Sequence, residues 1–169
     1  MYHRLYLHLV WTTRHRERLI DAETARYLCK VLRAMARKER SYLLEIGMVQ
    51  THVHILARIR PMENVSTLVK RLKGASSAIA GKTGVSCGGL KLYWAKGYSV
   101  QSVSPQSLDR VRRYLRCQPQ HHPSEAIAGW AGDVASEYDV MCPRDLPRMN
   151  SLLGNTSPSA TSAIDNPLR

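Results

Sequence analysis

Two alternating runs with almost nothing between them constrain this chain more than any other feature. Leu44, Ile46 and Met48 recur at every second position, and Gln50 to Arg60 alternates again around Val53, Ile55 and Ala57 until Pro61 closes it. Side chains alternate faces along a strand, so each run reads as a half-buried strand. A gap this short joins two such strands as an antiparallel hairpin. Gly47 sits where a bulge could be tolerated. The second strand carries His52 and His54 in the run Thr51-His-Val-His-Ile-Leu-Ala57, so the two imidazoles project side by side, opposite to Val53 and Ile55. Such a pair can grip a divalent metal without loop rearrangement. It can equally be two polar residues on the wet side of an amphipathic strand.

The remaining elements fall around that hairpin. Leu5, Leu7, Leu9 and Trp11 alternate with Arg4, Tyr6, His8 and Val10, which reads as a first strand. Asp21 to Arg40 follows as an amphipathic helix with Leu28, Val31, Leu32 and Met35 on one face. Val65, Leu68, Val69 and Leu72 recur at i, i+3, i+4, i+7, so a second helix begins near Asn64. Its other face carries Lys70, Arg71 and Lys73, and Gly74 leaves a spot where backbone can approach a ligand. Gly81 to Gly89 is a glycine-rich loop, and Tyr98 to Val103 a fourth strand. Ser104-Pro105 starts a third helix, a hydroxyl N-cap followed by proline at the first helical position, which runs to about Gln118 before Pro119. The order β-α-β-β-α-β-α predicts an α+β fold, a ferredoxin-like split βαβ sandwich. Two helices cover one face of a four-stranded antiparallel sheet, and the His pair belongs on the open face. The segment 123–149, with Trp130 and Tyr138, is expected to pack as a short helical extension. From Asn150 onward the composition is that of a disordered tail.

Charge narrows the partner. Of 169 residues, 25 are Lys or Arg and 13 Asp or Glu, a net charge of +12, and 44% are hydrophobic. One domain with a real core fits that length. The excess positive charge points to a polyanion, a nucleic acid first, because each phosphate contact releases condensed counterions. No stretch is apolar for the ~20 residues that a membrane span needs, and Met1 to His8 lacks the apolar core of a signal peptide. Cys29, Cys87, Cys117 and Cys142 are scattered without a Cys-x-x-Cys pair, so neither a zinc knuckle nor a disulfide framework is expected. A cytosolic, reduced protein fits these features best.

The third helix carries a second unusual set. Leu108, Val111 and Leu115 form its apolar stripe, Tyr114 and Gln118 are four apart and share a side, and Arg110, Arg112, Arg113 and Arg116 surround them. A tyrosine at the border of an apolar stripe is a packing residue in most helices. A neutral phenol is a poor nucleophile, but beside a metal-held phosphate and arginines it can become one.

His-Val-His on a strand, Leu72-Lys-Gly74 in a helix and Tyr114-x-x-x-Gln118 in a final helix together resemble the small single-tyrosine HUH transposases of the insertion sequence 200/605 group and their REP-associated relatives. The resemblance extends through Leu9-Val-Trp-Thr-Thr13, Trp94, Gly97-Tyr98 and His121-His122, and covers most of residues 1–122. It implies that Tyr114 is the nucleophile and that His52, His54 and Gln118 hold a Mg²⁺ or Mn²⁺ ion. It implies single-stranded DNA hairpins as substrate, cleaved and rejoined through a 5′-phosphotyrosine. It further implies a homodimer, in which the tyrosine helix of one chain can complete the His pair of the other; the sequence leaves open which chain Tyr114 serves. Lys70, Arg71, Lys73, Arg14 and Arg16 are the candidate DNA contacts, and Arg113 and Arg116 can steady the phosphate near Tyr114.

Three points qualify this reading. Thr51 stands before the first His where many relatives carry Asp or Asn, which removes a group that would orient the imidazole. Gly81-Lys-Thr83 is not a phosphate loop, because a helix rather than a strand precedes it. His121-His122 lies close to Gln118 and could touch substrate or metal, but an exposed polar pair just past a helix end is the favoured account. Two other functions remain open on sequence: a non-catalytic nucleic-acid-binding relative, and a metal-dependent phosphodiesterase that uses water and leaves Tyr114 structural.

Overall fold

The structure, a computed structural model, describes residues 5–84, 89–130 and 132. Four strands, β1 (Leu5–Thr12), β2 (Tyr42–Val49), β3 (His52–Ile59) and β4 (Ser99–Val103), form one antiparallel sheet in the order β2-β3-β1-β4. The expected β2–β3 hairpin is present, with Ile46 opposite Ile55 and Gly47 opposite His54. The register break in β2 falls between Leu43 and Glu45. Gly47 is therefore not a bulge residue, and its reason lies in the site described below.

Helices α1 (Ala22–Lys38) and α2 (Val65–Thr83) cover one face of the sheet. The Asp21 carboxylate accepts from Thr24 N–H at 2.8 Å to cap α1, and Asn64 accepts from Thr67 N–H at 3.0 Å to cap α2, satisfying amides that a helix start leaves without intrahelical partners. Leu9, Trp11, Val53 and Ile55 on the strands meet Leu28 and Leu32 of α1 and Leu68 and Leu72 of α2 in the main core. Trp94, at an isolated bridge to Thr13, closes its edge against Trp11 with ring centroids 6.0 Å apart. Part of the expected glycine-rich loop is helical, since α2 continues to Thr83 and ends on Gly84 in the left-handed conformation (φ 72°), where glycine carries no Cβ penalty.

The other face is not left open. Helix α3 (Leu108–Arg116) and the single turn α4 (Gln118–His121) fold back over β2 and β3. Leu56, Val111 and Leu115 form a second, smaller apolar cluster beneath α3. The start differs from expectation: Pro105–Ser107 make a 3-10 turn, and the Ser104 hydroxyl donates to Ser107 Oγ instead of capping a backbone amide. So does the end. Pro119 does not stop the chain but opens α4, because its missing N–H is one that a first turn leaves unpaired in any case. Of the expected helical extension, the described part is one 3-10 turn, Pro123–Glu125, followed by Ile127 and Trp130 packed on the main core. Tyr138 and the tail from Asn150 lie outside the described residues. Cys29 is a buried free thiol.

Candidate active site

Alternation on β3 sends His52 and His54 away from the main core, and both imidazoles are nonetheless buried because α3 and α4 close over them. Their ring centroids lie 5.0 Å apart. A third histidine joins them from β1: His8 Nε2 stands 3.0 Å from His54 Nδ1, with the rings stacked. Sequence reading missed His8, although it occupies the same face of β1 that the register turns toward His54. Burial governs the charge state of all three. It pushes His8 and His52 down to about 4, His122 adding to the effect at His52, and it holds His54 well below its ordinary value, reinforced by His8. At neutral pH the three rings are uncharged, the form in which imidazole nitrogens donate to metals.

Helix α3 brings the second half of the site. The Tyr114 ring lies 5.8 Å from His54 and 6.2 Å from His8 by centroids, both edge-on, within one chain. Gln118 is fully buried beneath it, its amide donating to Tyr114 C=O at 3.3 Å. The pair His121-His122 is half-buried rather than exposed: His121 stacks against Tyr114 at 5.0 Å and His122 meets His52 edge-on at 4.9 Å. The turn opened by Pro119 folds these rings inward. Gly47 explains how the helix can come so close. A Cβ there would overlap the Leu115 carbonyl oxygen and lie 3.0 Å from Gln118 Cγ, so only glycine leaves the notch in β2 that seats the end of α3. A glycine inside a strand does signal close backbone approach, so this feature was available in the sequence.

These residues fit a divalent cation. His54 Nε2 is buried without a hydrogen-bond partner, a costly arrangement that a bound cation would relieve, and Gln118 lies within hydrogen-bond reach of His52. Among the described residues no set of three His, Cys, Asp or Glu side chains forms a metal cage. Two imidazole nitrogens and one amide oxygen would suit Mn²⁺ better than Mg²⁺ by ligand type.

The predicted basic residues divide into groups. Arg14 is exposed and Arg16 largely so, in the turn after β1 at the rim of the His pair. There His15 and Arg16 both adopt positive φ, 54° and 55°, a conformation unusual for side-chain-bearing residues. Lys70, Arg71 and Lys73 lie on α2, across the sheet from the histidines, and are not brought to the site. Arg71 pairs with Glu39, and Lys73 Nζ donates to the carbonyls of Ala95 and Gly97 at 2.6 and 2.8 Å. Arg113 is half-buried on α3. Arg116 Nη2 and Nε both donate to one oxygen, Oε2, of buried Glu45 of β2 at 2.8 and 3.1 Å, charge-assisted bonds that clamp α3 to the sheet.

Residues 1–118 match the family model described as Transposase IS200 like. The chain belongs to the IS200-like transposases. This IS200-like transposase is 27% identical over 122 residues to the ISDra2 transposase TnpA of Deinococcus radiodurans, covering 69% of the chain and 85% of the relative. It is 26% identical over 117 residues to the transposase for insertion sequence element IS200 of Salmonella typhimurium, covering 66% and 74%. Two solved structures share its fold. One, from Deinococcus radiodurans and described as a candidate transposase, superposes with a TM-score of 0.55 at 24% identity, covering 76% of this chain and 95% of the other. The other, a REP-associated tyrosine transposase bound to a REP hairpin, gives 0.54 at 13% identity, covering 88% and 96%. Among the described residues of this transposase no helix is long and apolar enough to cross a membrane.

Proposed function

We propose that this IS200-like transposase cleaves and rejoins single-stranded DNA at hairpins by transesterification, with Tyr114 as nucleophile. The observation that carries the reading is one cluster in which Tyr114 lies edge-on to His54, with His52 beside His54, Gln118 buried next to His52, and His54 Nε2 buried and unpartnered. Structural polar residues in a core are hydrogen-bonded, and a cation would satisfy His54 Nε2. His52, His54 and Gln118 would hold a Mg²⁺ or Mn²⁺ ion, which when bound supplies positive charge beside the phosphate and the leaving oxygen.

The chain's own groups do the rest. Tyr114 Oη attacks phosphorus as its proton is lost, and the bond from phosphorus to the 3′ oxygen breaks. That oxygen takes a proton and leaves as a 3′-OH, while the 5′ phosphate stays on Tyr114. A phosphodiester is exchanged for another, so a second 3′-OH can reverse the step and rejoin the strand without ATP. Arg14 and Arg16 at the rim, with Arg113 on α3, are the basic groups placed to meet the DNA backbone. A REP hairpin on a fold neighbour supports a hairpin as substrate. Tyr114 lies beside the His pair of its own chain, which favours action in cis whether or not two chains pair.

The test is incubation of the full chain with a single-stranded DNA hairpin and Mn²⁺, followed by denaturing electrophoresis. A covalent adduct lost in Tyr114→Phe is expected. Cleavage without an adduct would favour hydrolysis by water, and binding without cleavage a non-catalytic relative. Mixing Tyr114→Phe with His54→Ala chains restores no adduct if the site lies in cis, whereas restoration would assign it to two chains.

A further inference from the structure

Thr51 lacks the carboxylate or amide that would orient His52 directly, yet a carboxylate reaches the same place from elsewhere. The Thr51 hydroxyl lies 2.9 Å from His52 Nδ1 and 2.5 Å from Glu125 Oε2. A hydroxyl has one proton and two lone pairs, and an ionised carboxylate can only accept. Thr51 therefore donates to Glu125, and its remaining lone pair accepts from His52 Nδ1–H. That assignment leaves His52 Nε2 as the lone-pair nitrogen, with Gln118 within hydrogen-bond reach of the ring. Glu125 is itself anchored: Gln50 N–H donates to its carbonyl at 2.8 Å, Arg16 stands 3.4 Å from Oε1, and Ile127 two residues on is buried in the main core. Thr51 is 2% exposed, so water does not compete for its hydroxyl.

We propose that Glu125, acting through the Thr51 hydroxyl, is a positioning residue that fixes His52 in the tautomer with a free Nε2. The chain thereby recovers from a loop beyond the matched region the carboxylate that its position 51 lacks. Partners of this kind on ligating histidines are worth 10- to 100-fold in metal affinity. The proposal rests on the reading of His52 as a metal ligand.

Tautomers are read directly by long-range ¹H–¹⁵N correlation on the metal-free full chain at one neutral pH. Wild type should show His52 protonated on Nδ1 and bare on Nε2. In Thr51→Val, which keeps the volume and removes the hydroxyl, and in Glu125→Ala, the His52 proton should redistribute toward Nε2. Mn²⁺ affinity by calorimetry should fall 10- to 100-fold in both. Thr51→Asp in the Glu125→Ala background should restore both signals, which a merely structural loss would not. A wild-type His52 protonated on Nε2, or an unchanged tautomer in both variants, overturns the proposal. If Glu125→Ala fails to fold, Thr51→Val alone decides. The outcome is separable from the proposed function: a tautomer that shifts as expected in a protein forming no DNA adduct would leave the relay standing and remove the transferase.

Discussion

Gly47→Ala tests whether α3 docked on its own sheet is the working arrangement. The added methyl would overlap the Leu115 carbonyl oxygen and sit 2.9 Å from the Leu115 carbonyl carbon and 3.0 Å from Gln118 Cγ. The first two contacts are backbone, so no rotamer change relieves them. Strand β2 and the end of α3 must separate by something on the order of 1 Å. Overpacking of this kind costs about 1–3 kcal/mol, offset by roughly 0.5–1 kcal/mol because alanine loses less backbone entropy than glycine. The net loss of about 0–2.5 kcal/mol corresponds to a Tm lower by up to roughly 10 °C. The effect on chemistry should be larger. Gly47 pairs with His54 across the hairpin, so the displacement acts on Gln118 and Tyr114 beside that imidazole, and a misplacement of about 1 Å can cost ~10²-fold in rate. Gly74→Ala is the control: a Cβ there meets nothing within 4 Å, and within α2 alanine should stabilise by about 0.5–1 kcal/mol with the site untouched. Single-turnover adduct formation on a DNA hairpin and thermal melts of both variants make the measurement. A Gly47→Ala chain with wild-type rate and Tm would refute the docked geometry.

Three further outcomes follow from the same contacts. Arg116→Met leaves the Glu45 carboxylate buried and unpaired; because Arg116 is about a third exposed, the loss should be about 1–3 kcal/mol. A slower reaction with an unchanged Tm would make Arg116 a DNA contact instead of a clamp. His8→Leu removes the group 3.0 Å from His54 Nδ1 and should weaken Mn²⁺ binding roughly tenfold or more in a calorimetric titration; unchanged affinity would contradict a role for His8. Stability should fall as pH drops from 6.5 toward 4. His8 and His52 titrate near 4 when folded against 6.5 when unfolded, so across that window the unfolded chain binds more protons and acid favours it. A urea midpoint flat over that range would contradict burial of the neutral rings.

Much of this was legible because it is periodic. Alternation placed Val53 and Ile55 in the core and His52 and His54 opposite, and helical spacing joined Tyr114 to Gln118. Asp21 and Asn64 marked helix starts through side chains that accept backbone N–H groups. What stayed hidden depends on contacts between distant segments. Glu125 reaches Thr51 across 74 positions, and no local pattern announces that. His121 and His122 read as exposed because the inward fold of α4 depends on tertiary packing, not on their neighbours in sequence. Lys70, Arg71 and Lys73 were read as DNA contacts by charge alone, and they lie on the helix-covered face that the same sequence reading set opposite the histidines. Gly47 was noticed for the wrong reason: a strand glycine can mean a bulge or a close approach, and only the position of α3 decides between them.

The central claim is that Tyr114 accepts the 5′ phosphate beside the His pair. Peptide mapping of the adduct formed with hairpin DNA and Mn²⁺ tests it most directly. Trypsin cuts after Arg113 and Arg116, so the account predicts nucleotides joined through a 5′ phosphate to the tripeptide Tyr114-Leu-Arg116, with a free 3′-OH on the released strand. Nucleotides on any other residue, or attachment through a 3′ phosphate, would contradict it.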